Sequence, residues 1–155
     1  MNKKRIIIVL ALILCLSVSG QKKITWSWIS QNIEFKETFF EEAGLWILAP
    51  IFSKELKALE GKEIVISGYM MPIDVEMNFY AISANSFANC FFCGGAGPET
   101  VMSLDFRDKT LKFKTDDFRT VSGRLQLNED EIEDAFLNLQ DAQLYSDLKD
   151  LPKAK

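Results

Sequence analysis

Histidine is absent from this sequence of 155 residues, and cysteine occurs only three times. Without histidine, the chain cannot build a Ser-His-Asp or Cys-His catalytic pair, a His-ligated zinc or haem site, or a His-based pH switch. The glycine spacing of a Walker or Rossmann nucleotide-binding loop is missing as well. These absences favour a binding or accessory protein over an enzyme, with no haem and no nucleotide.

Basic residues are outnumbered: 18 Lys and Arg stand against 22 Asp and Glu, a formal net charge of −4. Residues 1–20 hold three of the basic residues and no acidic ones, so the chain without them carries −7. Such an acidic protein does not have the basic surface that binding to nucleic acid or to an anionic membrane requires. Cationic partners, including metal ions, remain compatible with it.

The first twenty residues have the pattern of a secretory signal peptide. Residues 1–5 are basic, residues 6–16 form an unbroken apolar run, and residues 17–20 are mostly small. Cleavage is expected before Gln21, which predicts a protein of the periplasm or cell envelope. The apolar run is shorter than the roughly 20 residues that span a bilayer.

Two other interpretations of this segment exist. It could stay uncleaved and anchor the chain in the membrane. A lipoprotein signal ending at Cys15 is disfavoured, because the bulky Leu14 stands where a small residue should precede the lipidated cysteine.

The remaining chain, about 135 residues, has the length of one domain. Short apolar runs separated by turn residues favour a mainly β fold with one or two short helices. We expect a small OB-like barrel over residues 61–148, preceded by an extension over residues 21–60 that packs on it. Residues 149–155 are expected to be a frayed tail. An open α+β sheet is the competing architecture.

The individual elements follow from local patterns. A short helix is predicted from a cap at Ser53 to a stop at Gly61. Gly68 and Gly123 lie inside strand patterns, where glycine is typical of sharp coiling or bulges at barrel corners. Strands are predicted at 45–49, 63–70, 79–83, 101–106, 111–114, 121–127 and 142–145.

Two further segments have less clear patterns. Residues 35–43 are interpreted as a loop or a helical turn. Asn128, followed by three acidic residues, indicates a helix start. Ile132, Ala135, Phe136 and Leu139 would share one face of that helix.

Residues 85–99 lie between two predicted strands and are long for a hairpin connection, which is typical of functional loops. They contain both cysteines that remain after signal cleavage, Cys90 and Cys93. The pair could form a short disulfide in an oxidising compartment. It could instead act in thiol–disulfide exchange, although the glycines after Cys93 disfavour the helix such sites use.

A metal site is the third interpretation of the two sulfurs. Two cysteines supply half of a tetrahedral zinc site, so other ligands must complete it. For copper(I), thioethers could contribute, and the candidates are Met70, Met71, Met77 and Met102.

The end of the loop is rich in residues that shape a backbone. Gly94, Gly95, Gly97 and Pro98 permit tight or left-handed turns before Glu99. Gly94 also stands where c-type haem attachment needs histidine, which excludes that motif. The nearby carboxylates Asp74, Glu76 and Glu99 are interpreted as solvated or capping groups. The three tryptophans, Trp26, Trp28 and Trp46, are interpreted as core or packing residues.

Four segments together carry a resemblance: residues 59–62, 67–74, 83–87 and, most specifically, 90–99 with the sequence CFFCGGAGPE. Over residues 24–146 the chain resembles an exported domain-of-unknown-function family common in Bacteroidota. That family is similar to a broader set of small OB-like periplasmic proteins, some encoded near transport genes linked to metal supply. The resemblance implies an envelope location and a non-enzymatic role. The broader set carries a proline-rich loop where this chain has its cysteines.

The sequence therefore leads us to expect a periplasmic binding or accessory module, serving an envelope protein such as a transporter, with Cys90 and Cys93 in its site. A zinc or copper(I) carrier and a thiol–disulfide oxidoreductase are the alternatives. The sequence leaves the ligand, any cofactor and the oligomeric state open.

Overall fold

Residues 21–41, 44–129 and 135–146 are described by the structure, a computed structural model. Over these ranges the chain forms eight strands and two short α-helices. In chain order they are β1 (Lys22–Lys23), α1 (Trp26–Ser30), β2 (Ile33–Phe40), β3 (Leu45–Phe52), α2 (Lys54–Lys57), β4 (Glu63–Asp74), β5 (Phe79–Ser83), β6 (Val101–Phe106), β7 (Phe118–Leu127) and β8 (Leu137–Leu144).

Five of these strands close into a barrel. The hydrogen-bonded order is β4, β5, β6, β8, β7 and then β4 again, so each barrel strand has two neighbours. The β6–β8 pair is parallel, and the other four pairs are antiparallel. The expected fold, a small OB-like barrel in a mainly β protein, is therefore confirmed.

The barrel interior is filled by alternate residues of each strand, because successive side chains point to opposite faces. Its largest group is an aromatic cluster of Tyr80, Phe106 and Phe113, with ring centroids 5.1 to 6.1 Å apart. Around it pack aliphatic side chains that are almost inaccessible to solvent: Ile64, Ile66, Met70, Ile82, Met102, Leu104, Val121, Leu125, Leu137 and Leu139.

Two glycines allow the strands to approach closely. A Cβ on Gly68 would lie 2.5 Å from the carbonyl oxygen of Ser83, in β5. One on Gly123 would lie 2.7 Å from Leu139 Cγ, and the β7–β8 register shifts beside it, between Ser122 and Arg124. At both positions the neighbouring strand lies too close for any larger side chain.

The predicted helix over residues 128–139 is wrong where the structure can test it. Ala135 and Phe136 are not helical, and Leu139 lies in strand β8, which begins at Leu137. Ile132 lies outside the described residues. Leu137, Leu139 and Ala142 face the core while β8 pairs with both β6 and β7, so non-local pairing overrides the local helical spacing.

The N-terminal extension contains both α-helices. Thr25 Oγ1 accepts a hydrogen bond from Trp28 N at the start of α1. Ser53 caps α2 through a bond from Leu56 N, and Gly61 follows with a φ of 71°, as the sequence predicts. Strand β1 adds to the barrel in parallel with β4.

Strands β2 and β3 form a separate two-stranded antiparallel hairpin. Two predictions fail here: residues 35–40 are strand rather than loop or helical turn, and Trp46 is 71% exposed rather than a packing residue. The end of the hairpin opposite its turn is anchored by Ile33 and Phe52, which belong to the core. No helix among the described residues is long and apolar enough to cross a membrane.

One predicted strand is missing. Residues 111–114 alternate in polarity but form no regular structure. They belong to an irregular connection, which places the Phe113 ring in the aromatic cluster. The described residues thus keep the predicted barrel but with different elements at 35–40, 111–114 and 137–144.

Candidate functional site

The loop with both cysteines connects β5 to β6 and folds as three single 3₁₀ turns. These are Phe87–Asn89, Phe91–Cys93 and Pro98–Thr100. The carbonyl of Cys90 accepts hydrogen bonds from the backbone N–H groups of Cys93 (3.2 Å) and Gly95 (3.1 Å). Cys90 is therefore the backbone anchor around which the middle of the loop turns.

Glycines make this tight path possible. Gly94 adopts the left-handed conformation, with a φ of 75°. A Cβ on Gly95 would lie 2.9 Å from the carbonyl carbon of Asn89, so only glycine lets the two backbone segments approach. The predicted role of these residues in shaping the loop thus has a concrete geometry.

Polar contacts fix both ends of the loop. At its start, the Phe87 N–H donates to the Asp116 carboxylate at 2.7 Å. At its end, the Thr100 hydroxyl donates to the Gly97 carbonyl at 2.7 Å, inside the turn that holds Pro98 and Glu99. The start of the loop is therefore held to the segment before β7, and its end is held by a turn within the loop itself.

The two cysteines have opposite environments. Cys90 is fully buried and packs with Met71, Ala81 and Val101 in a small apolar cluster. Cys93 is exposed. Both are free thiols, and they lie 4.2 Å apart. The disulfide considered from the sequence is thus not formed, but the two sulfur-bearing side chains are neighbours.

The pKa of the Cys93 thiol is raised above its usual value. Desolvation is the main cause, followed by a hydrogen bond and a charge interaction with the Cys90 side chain. A smaller fraction of Cys93 is consequently thiolate at neutral pH than in a free cysteine. This is the opposite of the lowered pKa that activates a catalytic cysteine.

An open apolar cleft of about 300 Å³ lies beside the loop, on the outer face of β5 and β6. Phe79 and Ala81 of β5 and Val101 and Ser103 of β6 form its floor, each pair being alternate residues of one strand. The surrounding residues are Ile73, Phe91, Phe92, Pro98, Ala135 and Phe136.

Phe91 and Phe92 make the wall on the loop side. Their rings meet edge to face with centroids 5.7 Å apart, and Phe92 is 50% exposed. On the opposite side, Phe136 lines the cleft and packs against Phe35 of β2. The N-terminal hairpin therefore supports one wall of the cleft, and the cysteine loop supplies the other.

Sequence reasoning located the loop but missed the cleft. Ile73 and Phe79 flank the β4–β5 turn, but Phe91 and Phe136 come from distant parts of the chain, so the complete lining forms only after the barrel closes. One signal was present in the sequence, because Phe91-Phe92 places two adjacent aromatic residues in a glycine-rich loop. At least one of two adjacent large rings on such a surface loop is expected to stay exposed.

One carboxylate near the site, that of Asp74, has a structural role. Asp74 accepts hydrogen bonds from the N–H groups of Glu76 and Met77, both at 2.9 Å, and so caps the β4–β5 turn. This agrees with the capping role expected for Asp74. Across the described ranges, no group of three or more His, Cys, Asp or Glu side chains is placed to hold one metal ion.

The four methionines considered as copper ligands are dispersed. Met70 and Met102 belong to the barrel core, and Met77 is 79% exposed in a turn. Met71 alone lies in the small cluster with Cys90.

No family model matches the sequence, and neither the curated proteins nor the solved structures provide a match.

Proposed function

We propose that this chain is an exported binding module whose working surface is the Cys90–Cys93 loop together with the apolar cleft beside it. Its ligand is a segment of an envelope protein, such as a transporter, that carries both apolar and positively charged side chains. The observation that carries the proposal is the cleft itself, which is open, about 300 Å³ in volume and walled by Phe91 and Phe92. Concave apolar sites of this size are typical of ligand binding.

The exposure of the aromatic wall supports binding over a purely structural role. Phe91 and Phe92 remain 39% and 50% exposed although an apolar floor lies next to them. Large aromatic side chains left partly exposed beside a cleft are the anchors that binding partners commonly cover. Burial of these rings on binding would remove apolar surface from water on both molecules.

The charge of the protein supports a cationic partner. The formal charge of −4 becomes −7 when the three basic residues of the predicted signal segment are removed. A protein with this net negative charge attracts lysine- or arginine-bearing segments and repels nucleic acid and anionic lipid.

The oxidoreductase alternative lacks such support. The exposed thiol, Cys93, has a raised pKa, and the other thiol, Cys90, is inaccessible to solvent. Rapid exchange needs an exposed thiol with a substantial thiolate fraction.

Truncation of the aromatic wall tests the proposal. Phe92→Ala is expected to weaken binding about tenfold, because it removes roughly 1.5 kcal/mol of apolar contact. Two probes report the loss by fluorescence: N-phenyl-1-naphthylamine, and a labelled peptide with two leucines between lysines. The matched control is Phe87→Ala, since Phe87 belongs to the same loop and is also 50% exposed but does not line the cleft.

The comparison of the two variants decides the result. Binding that Phe92→Ala reduces and Phe87→Ala does not supports the cleft as the site. Equal losses in both variants, or no binding of either probe by the unaltered protein, would refute it. Replacing the peptide's lysines by glutamates should weaken binding if the partner is cationic.

A second function, copper(I) binding, is favoured by one observation: Met71 packs in the same buried cluster as Cys90, which lies 4.2 Å from Cys93. Two thiolates and a thioether are soft ligands of the kind that copper(I) prefers. Zinc is less suited, since it needs four ligands and thioethers are poor ones.

Competition with a coloured copper(I) chelator tests this second function. We expect one copper(I) per reduced protein and weaker binding in Met71→Leu. Met77→Leu, which alters an exposed methionine in a turn, is the control. If Met71→Leu holds copper(I) as tightly as the unaltered protein, Met71 is not a ligand. Native mass spectrometry of protein from the envelope would report the predicted cleavage before Gln21 and any bound metal together.

A further inference from the structure

The floor of the cleft and the packing around Cys90 share two side chains. Ala81 and Val101 line the cleft, and both also belong to the small buried cluster that Cys90 and Met71 complete. The Cys90 side chain therefore packs in the same cluster as the floor of the cleft. A covalent change at its sulfur acts on the cleft through this shared packing.

The wall of the cleft is tied to the same cysteines. Phe91 and Phe92 are the two residues between Cys90 and Cys93, and both rings line the cleft. They belong to the 3₁₀ turn Phe91–Cys93, which is held by the bond from Cys93 N to Cys90 O. A contraction between the cysteines must consequently move the rings.

We propose that Cys90 and Cys93 form a reversible dithiol–disulfide switch that narrows the cleft when it is oxidised. The inference rests on the proposed binding function. The two cysteines lie 4.2 Å apart and are not bonded, and a disulfide would bring their sulfurs to about 2.05 Å. Cys90 is held by its packing and Cys93 is exposed, so Cys93 makes most of the movement. That movement draws the Phe91–Phe92 wall toward the floor.

The oxidant is a small disulfide, for which oxidised glutathione is the experimental form. Cys93 loses its proton to solvent, and its thiolate attacks one sulfur of the disulfide. The disulfide bond breaks, and one glutathione leaves as a thiolate that takes up a proton. Cys90 then loses its proton and attacks the Cys93 sulfur, and the second glutathione leaves in the same way. Two protein thiols are oxidised while one disulfide is reduced to two thiols.

Two features favour a reversible switch over a catalyst. Cys90 is buried, so an external disulfide reaches the pair only through the exposed Cys93. A disulfide between Cys90 and Cys93 closes a very small loop. It therefore gains little stability from loop entropy and is readily reduced. These properties suit a state that follows the redox conditions of the compartment rather than a catalyst that turns over.

The test uses the exported protein in glutathione buffers of graded ratio, with a chelator present to exclude metals. Mass spectrometry after acid trapping measures the disulfide fraction. Fluorescence of N-phenyl-1-naphthylamine measures binding in the same samples. We expect oxidation to weaken probe binding about tenfold, the effect of modest shape changes in an apolar pocket, and reductant to restore it. Cys93→Ser is expected to lose the response, and Phe87→Ala to keep it.

The outcomes separate this inference from the function on which it rests. A disulfide that forms without changing probe affinity refutes the switch and leaves the binding function intact. Failure of the disulfide to form across the glutathione range also refutes it. If the reduced protein does not bind the probe, the binding function itself fails, and the switch fails with it.

Discussion

Gly68→Ala is expected to lower the free energy of unfolding by about 3 kcal/mol, the upper range for an overpacked core. The added methyl would lie 2.5 Å from the carbonyl oxygen of Ser83 and 2.8 Å from Ile82 Cγ1. The oxygen belongs to the backbone of β5, which pairs with β4 on one side and β6 on the other. It cannot retreat without disturbing two ladders of the closed barrel.

Gly61→Ala is the matched control, because it adds the same methyl where nothing lies within 4 Å. Gly61 has a φ of 71°, so alanine there should cost about 1 kcal/mol from backbone strain alone. Urea unfolding of the two variants gives both values, provided that the dependence on urea is unchanged. Equal losses of unfolding free energy in the two variants would contradict the steric clash expected at Gly68.

Phe106→Ala should cost about 3 to 5 kcal/mol, the usual range for removing a buried aromatic ring. Its ring stacks on Phe113 at 5.1 Å and meets Tyr80 edge to face at 6.1 Å, and all three side chains are buried. The barrel cannot collapse into the space left behind, since its strands are paired on both sides. A large fraction of the total stability of a small domain would be lost.

The comparison for this variant is Phe118→Ala. Phe118 is the first residue of β7, as Phe106 is the last of β6, but it is 56% exposed, and among the described residues its ring contacts that of Tyr69 alone, at 5.2 Å. Its loss should cost about 1 kcal/mol or less. Thermal and urea unfolding that found the two variants similarly stable would contradict the assignment of Phe106 to the centre of the core.

Local sequence patterns predicted strands β4 and β7 well. Residues 121–127 alternate between apolar and polar, and they form most of β7. The expected run from residue 63 to 70 continues through Pro72 to Asp74 in β4. Pro72 is tolerated because β7 no longer pairs with β4 beyond Tyr69 and the register shifts between Pro72 and Asp74.

Strand β8 could not be read from its own sequence. The apolar spacing around Ala135, Phe136 and Leu139 fits a helix as well as a strand, and the acidic residues before it favour a helix start. Its partners, β6 and β7, make this segment a strand, because the edge of each would remain unpaired without β8. Such pairing between distant residues is invisible to local periodicity.

The candidate site also has a part that local patterns reveal, the cysteine loop, and a part that depends on distant residues, the cleft. The loop could be predicted, since Cys90, Cys93 and the glycines that follow are unusual in any local window. The cleft could not, since its floor is the outer face of β5 and β6 and its far wall is Phe136. Only the closed barrel brings these residues to the cysteine loop.

Ser83 and Val101 are directly paired at the point where β5 ends and β6 begins, so the whole cysteine loop is inserted between two residues that already face each other. A replacement loop has to join these two strand ends and to cover Met71, Ala81 and Val101, which pack with Cys90 in this protein. Residues 84–100 can therefore be exchanged as a unit during evolution, with a new specificity acquired on an unchanged frame. A transplanted loop would bring its own recognition chemistry to this barrel.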